Sequence, residues 1–199
     1  LRFITEFRDT LGIRAEMLPV YLEEISSTLS SHAYKQWRGQ PSAAELAAGV
    51  TAGADPALDF QTIERSMTEG HPCFVANNGR LGFGIADYRS FAPEAGAPVQ
   101  LEWIAVHRNQ AVFTSAEGLS YRNHLDAELG ASAVAYFDAE LAALGLDPAD
   151  YFLMPVHPWQ WDNKLSVTFA AELAHRHIVH LGIGADRYQA QQSIRTFFN

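Results

Sequence analysis

Residues 64–83 read ERSMTEGHPCFVANNGRLGF. The stretch opens as a helix, because Phe60, Ile63 and Met67 recur at intervals of three and four and so share one face. Glu69-Gly70-His71-Pro72 stops that helix: glycine permits a left-handed exit, and proline cannot continue the hydrogen-bond ladder. A tight polar loop follows and opens on the apolar Leu81 and Phe83. It gathers one imidazole (His71), two amides (Asn77, Asn78) and one guanidinium (Arg80), groups that hold anionic oxygen and fill an apolar core badly. The segment reads as a helix stop followed by an anion-binding loop.

Upstream the chain is helical. Ile4, Phe7, Leu11, Ala15, Leu18, Leu22, Ile25 and Leu29 keep the period of an amphipathic helix, with Gly12 and Pro19 as interruptions. Two helices meeting there, or one kinked helix, are expected. Ser42 with Glu45 forms a capping box for a short helix, and Asp55-Pro56 starts the helix that leads into the central loop.

Downstream, Leu81 to Ala86 reads as a short β-like piece leading into a turn at 91–96. In 99–108 both alternating faces carry large apolar groups, the pattern of a strand covered on both sides. Helices from Ser120 to Leu129 and from Ser132 to Leu144 end at Gly130 and Gly145. Tyr151 to Trp161, YFLMPVHPWQW, reads as a strand whose prolines hold the backbone extended and present His157 and Gln160 at its end. The plain alternative is a buried aromatic cluster with a hydrogen-bonded histidine. A helix over 167–175 and a strand over 177–182 come next. The last stretch, YQAQQSIRTFFN from Tyr188, reads as a strand with Gln189, Gln191, Ser193 and Arg195 on one face. Ser193, Arg195 and Thr196 together offer two hydroxyls and a planar fork that suits a phosphate. The fold class is therefore α+β. An N-terminal helical region, 1–54, precedes a mixed sheet with flanking helices in 55–199.

Composition narrows the function. Among 199 residues, a net charge of -9 argues against nucleic acid as a partner, since phosphate backbones select basic surfaces. No apolar run is long enough to cross a bilayer. The single cysteine, Cys73, excludes an internal disulfide, fits a reducing cytoplasm and reads as a small space-filling residue rather than a reactive thiol. His175, His177 and His180, at i, i+2 and i+5, match no helical pair and no standard zinc pattern, so no metal is assigned.

Five blocks then occur in order: Glu69-Gly70-His71-Pro72; Asn77 to Phe83; Tyr88 with Pro93-Glu94; Pro155-Val-His-Pro-Trp-Gln160; and Gln192-Ser-Ile-Arg-Thr196. Together they resemble the IucA/IucC family of siderophore synthetases that work without a nonribosomal template (NIS synthetases). The resemblance runs from about Asp55 to Asn199 and implies the N-terminal part of a longer, multi-lobed ligase. Many members read His-Pro-x-His-Pro-x-x-Lys where this chain has Phe74, Val75 and Asn78. The FVANNGR form looks like the desferrioxamine- or alcaligin-type branch, which joins succinyl-hydroxamates, and Arg80 is the candidate to replace the lysine.

The resemblance implies siderophore biosynthesis for iron acquisition by ATP-dependent, Mg²⁺-assisted adenylation of a carboxylic acid, followed by attack of an amine. His71 and Arg195 are then the expected catalytic residues. Thr68, Gly70, His71, Asn78, Arg80, Ser193, Arg195 and Thr196 are the expected ATP-binding set. His157 and Gln160 either line the acyl-substrate wall or hold the loop. A cytoplasmic homodimer with small-molecule carboxylate and amine partners is expected, with no membrane involved. The alternative from another class is a non-catalytic packing or dimerisation piece carrying half of a nucleotide site.

Overall fold

The computed structural model describes residues 1–49, 56–66, 73–191 and 197–198. The chain divides into two compact units, Leu1–Val99 with Tyr188–Asn199, and Gln100–Arg187. A boundary between residues 54 and 55 falls outside the described residues.

In the first unit, α1 (Arg2–Glu6) is followed by a glycine in the left-handed region (Gly12, φ 67°), a 3₁₀ turn at Ala15–Met17 and the long α2 (Leu18–Arg38). Pro19 starts α2 instead of breaking it, because a first-turn N–H has no helical partner to lose. Gly39, at φ 63°, closes the helix. The buried stripe of α2 is Ile25, Thr28, Ser31 and Lys35, three polar groups in four. That face is built to meet hydrogen-bonding partners. Next comes α3 (Ala43–Gly49), whose box closes as expected: Ser42 N donates to Glu45 Oε2 at 2.7 Å and Glu45 N to Ser42 Oγ at 3.3 Å. α4 (Pro56–Ser66) starts at the expected proline.

The β-like reading of Leu81 to Ala86 is corrected. α5 (Ile85–Phe91) starts there, with the Asp87 carboxylate accepting from the N-cap Gly84 N at 2.9 Å. The turn at Pro93–Ala95 forms and exits through Gly96 at φ 69°. β1 (Pro98–Val99) follows.

The second unit is a three-stranded antiparallel sheet with helical segments on both faces. Its elements are β2 (Glu102–His107), α6 (Tyr121–Leu129), α7 (Ala131–Ala143), β3 (Tyr151–Val156), the short α8 (Pro158–Gln160), a π turn at Trp161–Leu165, α9 (Ser166–Thr168), α10 (Ala170–Ala174) and β4 (Ile178–Ile183). The strand order is β3-β2-β4. Central β2 is buried at every residue from Glu102 to Val106, as its two-sided apolar pattern predicts. Trp103 and Ala105 face Leu125 of α6 and Val134, Phe137 and Leu141 of α7. Trp103 and Phe137 lie 5.5 Å apart between ring centres. Full burial of each such large side chain is worth about 1.5–3 kcal/mol, so this layer anchors the unit. On the opposite face Ile104, Val106 and Val156 pack with Ala111, Trp161, Leu165 and Ile178.

β5 (Tyr188–Ala190) returns to the first unit, pairing with β1 and with β6 (Phe197–Phe198), both antiparallel. Gln189 lies opposite Phe198, so the chain reverses and Tyr188 to Phe198 is not the single strand expected. The architecture is α+β.

Candidate functional site

Six of the expected nucleotide ligands, Thr68, Gly70, His71, Ser193, Arg195 and Thr196, lie outside the described residues. The structure places the two other nucleotide ligands, Asn78 and Arg80, in the first unit, and the expected substrate-wall residues, His157 and Gln160, in the second.

Asn78 and Arg80 belong to a loop laid along α2. Gly79 makes this possible, because a Cβ there would sit 2.7 Å from the carbonyl oxygen of Glu24. Arg80 N donates to Ser27 Oγ at 2.9 Å, and Gly82 N to Glu23 Oε1 at 3.2 Å. Asn78 is buried and donates from Nδ2 to Ser31 Oγ at 3.1 Å. The Arg80 guanidinium forms a fork on Glu94, Nη1 to Oε1 at 2.6 Å and Nη2 to Oε2 at 2.9 Å.

Glu94 is the hub of this cluster. Its side chain is wholly enclosed, and Oε1 also accepts from Tyr88 Oη at 2.6 Å and Ser31 Oγ at 3.0 Å. Gln40 Nε2 donates to its backbone oxygen at 2.6 Å. Burial pushes the Glu94 carboxyl up. The Arg80 charge and the Tyr88 hydrogen bond outweigh that, and hold it below the ordinary carboxylate value. For Tyr88, burial and then the bond to Glu94 push the hydroxyl far above the usual tyrosine value. The cluster thus has one ionised carboxylate, one guanidinium and donors directed at both oxygens. Cys73, read as space-filling, is instead exposed.

In the second unit the prolines act differently from the expectation at 155–158. Pro158 occupies the first position of α8, and His157 caps it, Nδ1 accepting from Trp159 N at 3.1 Å. Burial depresses the His157 pKa, so the ring is neutral near pH 7 with its remaining proton on Nε2. Gln160 is exposed on the helical turn rather than at a strand end.

The sheet also carries an acid–imidazole pair that the sequence does not mark. His180 Nε2 lies 2.8 Å from Glu102 Oε2, and the His180 ring stacks on Trp161 at 4.1 Å between centres and 16° between planes. Beneath the same face is an apolar cavity of about 420 Å³, walled by Ile104, Val106, Phe152, Met154, Trp161 and Ile178. No group of three His, Cys, Asp or Glu side chains among the described residues is placed to hold a metal ion. No helix among them is long and apolar enough to cross a membrane.

The central-loop hub could be found in sequence only through the Tyr88 and Pro93-Glu94 block, whose partners on α2 lie 57 and 63 residues away. Glu102 was visible as a lone carboxylate in a strand of large apolar residues. Its partner was not visible.

A model described as the IucA / IucC family matches residues 59–199. Over all 199 residues the chain is 48% identical to putrebactin synthase of Shewanella sp. (strain MR-4), of which it spans 30%. It is 37% identical to the rhizobactin siderophore biosynthesis protein RhbF of Rhizobium meliloti, again over the whole chain and 31% of that protein. The structure superposes on aerobactin synthetase IucC from a hypervirulent pathotype of Klebsiella pneumoniae with a TM-score of 0.81 at 29% identity, covering 100% of this chain and 35% of that one. The chain thus spans about a third of the length of these relatives.

Proposed function

Since the chain belongs to the IucA / IucC family, we propose that it is part of a siderophore synthetase that joins a carboxylic acid to an amine and consumes ATP. The observation that carries this reading is the 48% identity to a siderophore synthase along the entire chain. The mechanism is adenylation. A carboxylate oxygen attacks the α-phosphorus, pyrophosphate leaves, and the amine then displaces AMP from the acyl carbon.

In this reading Thr68, Gly70, His71, Ser193, Arg195 and Thr196 hold the nucleotide. Hydroxyls, a backbone N–H, an imidazole and a guanidinium are donors that fit a triphosphate carrying Mg²⁺. Asn78 and Arg80 act by holding the loop, because their donors are turned to Ser31 and Glu94. His157 and Gln160 border the wall near the acyl substrate. The FVANNGR form of the loop supports a succinyl-hydroxamate as the acid. A cytoplasmic homodimer belongs to the same reading.

The test is pyrophosphate release by the full-length protein supplied with Mg-ATP and an N-hydroxy-N-succinyl-diaminoalkane. The proposal expects release that requires the carboxylate, and amide formation in step with it. A full-length protein that binds the acid but releases no pyrophosphate with any carboxylate would leave only a packing or dimerisation role.

A further inference from the structure

The Glu102–His180 pair exists because of an irregularity in the sheet. β2 and β4 run in register at Glu102↔Ile183 and Trp103↔Gly182, then slip so that Ile104 faces His180. Leu181 is the extra residue, and Gly182 beside it has φ 92°. Without the bulge the register would set His180 opposite Ala105, on the face covered by α6 and α7. A one-residue slip exchanges the faces of a strand. The bulge therefore turns His180 onto the face of Glu102 and the cavity, the kind of re-aiming for which bulges recur beside active sites.

The Glu102 side chain is only 12% exposed, while the His180 side chain is 37% exposed. Glu102 fixes the ring through Nε2, and Nδ1 has no partner among the described residues. A buried carboxylate that orients an imidazole and leaves its second nitrogen open is the arrangement of a proton acceptor. Trp161 connects it to the cavity, with its indole stacked on His180 and also forming cavity wall. At about 420 Å³ the cavity falls in the size range of small-molecule sites. Its lining is hydrocarbon and aromatic apart from a few polar groups, Glu172 and Gln110 among them. It suits a polymethylene chain.

Resting on the ligase reading above, we propose that His180 is the general base for the amine nucleophile, with Glu102 as its positioning residue and the cavity receiving the amine's alkyl chain. The amine nitrogen forms its bond to the acyl carbon of the acyl-adenylate, and the N–H proton passes to Nδ1. The acyl C–O bond breaks, its electron pair leaving on AMP.

The test uses the full-length protein with an N-hydroxy-N-succinyl-diaminoalkane of four or five methylenes. Two acceptors are compared: the substrate's own amine, and hydroxylamine, which is mostly unprotonated near neutral pH and needs no base. His180→Ala is expected to retain pyrophosphate–ATP exchange and capture by hydroxylamine, to lose about a hundredfold or more in amide formation with the alkyl amine, and to recover part of that with added imidazole. Glu102→Gln, which keeps a hydrogen-bonding side chain, is expected to slow the alkyl amine about tenfold and leave hydroxylamine unchanged. Exchange intact with the alkyl amine unaffected in His180→Ala overturns the assignment alone, as does an equal loss with both acceptors. No exchange by the unaltered protein overturns the ligase reading and this assignment with it.

Discussion

The two units hold their key segments by opposite means. The loop at 78–82 is fixed to α2 by hydrogen bonds and to the 93–95 turn by one enclosed ion pair, Arg80 with Glu94. The sheet of the second unit is fixed by apolar layers on both faces of β2, with only one carboxylate, Glu102, on the central strand. A loop of Asn, Gly and Arg has little apolar surface to bury, so its position depends on satisfying polar groups in specific directions. A strand rich in Trp, Ile and Val is placed by area, and tolerates small errors in direction. A loop held in this way is geometrically exact and chemically fragile.

Removing one anchor from each unit separates the two means of support most directly. Glu94→Ala leaves the Arg80 guanidinium buried without its counter-charge and should cost about 3–5 kcal/mol. Phe137→Ala removes the centre of the helix-facing core and should cost about 3–5 kcal/mol as well. Urea unfolding measures both. The two should differ in kind: Arg80→Met added to Glu94→Ala should recover much of the loss, and no second truncation should rescue Phe137→Ala. If Glu94→Ala costs under about 1 kcal/mol, the hub does not hold the loop.

A smaller effect follows from the close approach of loop and helix. Gly79→Ala puts a methyl group against the Glu24 carbonyl and should cost about 1–3 kcal/mol through the shift it forces. Wild-type stability would mean that the loop is not seated on α2.

pH separates the units at finer scale. Glu94 has a lowered folded pKa, so its contribution is complete above the ordinary carboxylate value and is lost as pH falls through the lower folded value. His157 is also lowered, by burial. The unfolded chain takes up a proton first as pH falls below about 6.5, and the second unit loses stability from there downward. His157→Gln should flatten the pH 5–7 part of the thermal unfolding profile and leave the more acidic, Glu94-dependent part in place. An unchanged slope between pH 5 and 7 would contradict the buried, neutral histidine.

Local chemistry was legible in the sequence, and long-range pairing was not. The capping box at Ser42, the proline start of α4 and the two-sided strand around Trp103 depend on neighbours within a few residues, and each forms. Leu81 to Ala86 looks β-like from its apolar residues alone, and Asp87, which caps the chain at Gly84, instead makes a helix start there. Pro158 was misread for a related reason: proline suits an extended chain and a helix's first turn equally, and the His157 cap decides between them. For the site, the sequence marked Asn78 and Arg80 as polar and purposeful. It could not show that Ser31 and Glu94, 47 and 14 residues from them, take up their donors. The Glu102–His180 pair depends on a single extra residue in β4, and no periodicity announces a bulge.

The most direct test of the account is calorimetric titration of Mg-ATP into the full-length protein and its Arg195→Ala variant. Saturable binding to the former that the variant loses is the predicted result. No binding to the full-length protein, or equal binding to both, would contradict the assignment of nucleotide chemistry to this chain.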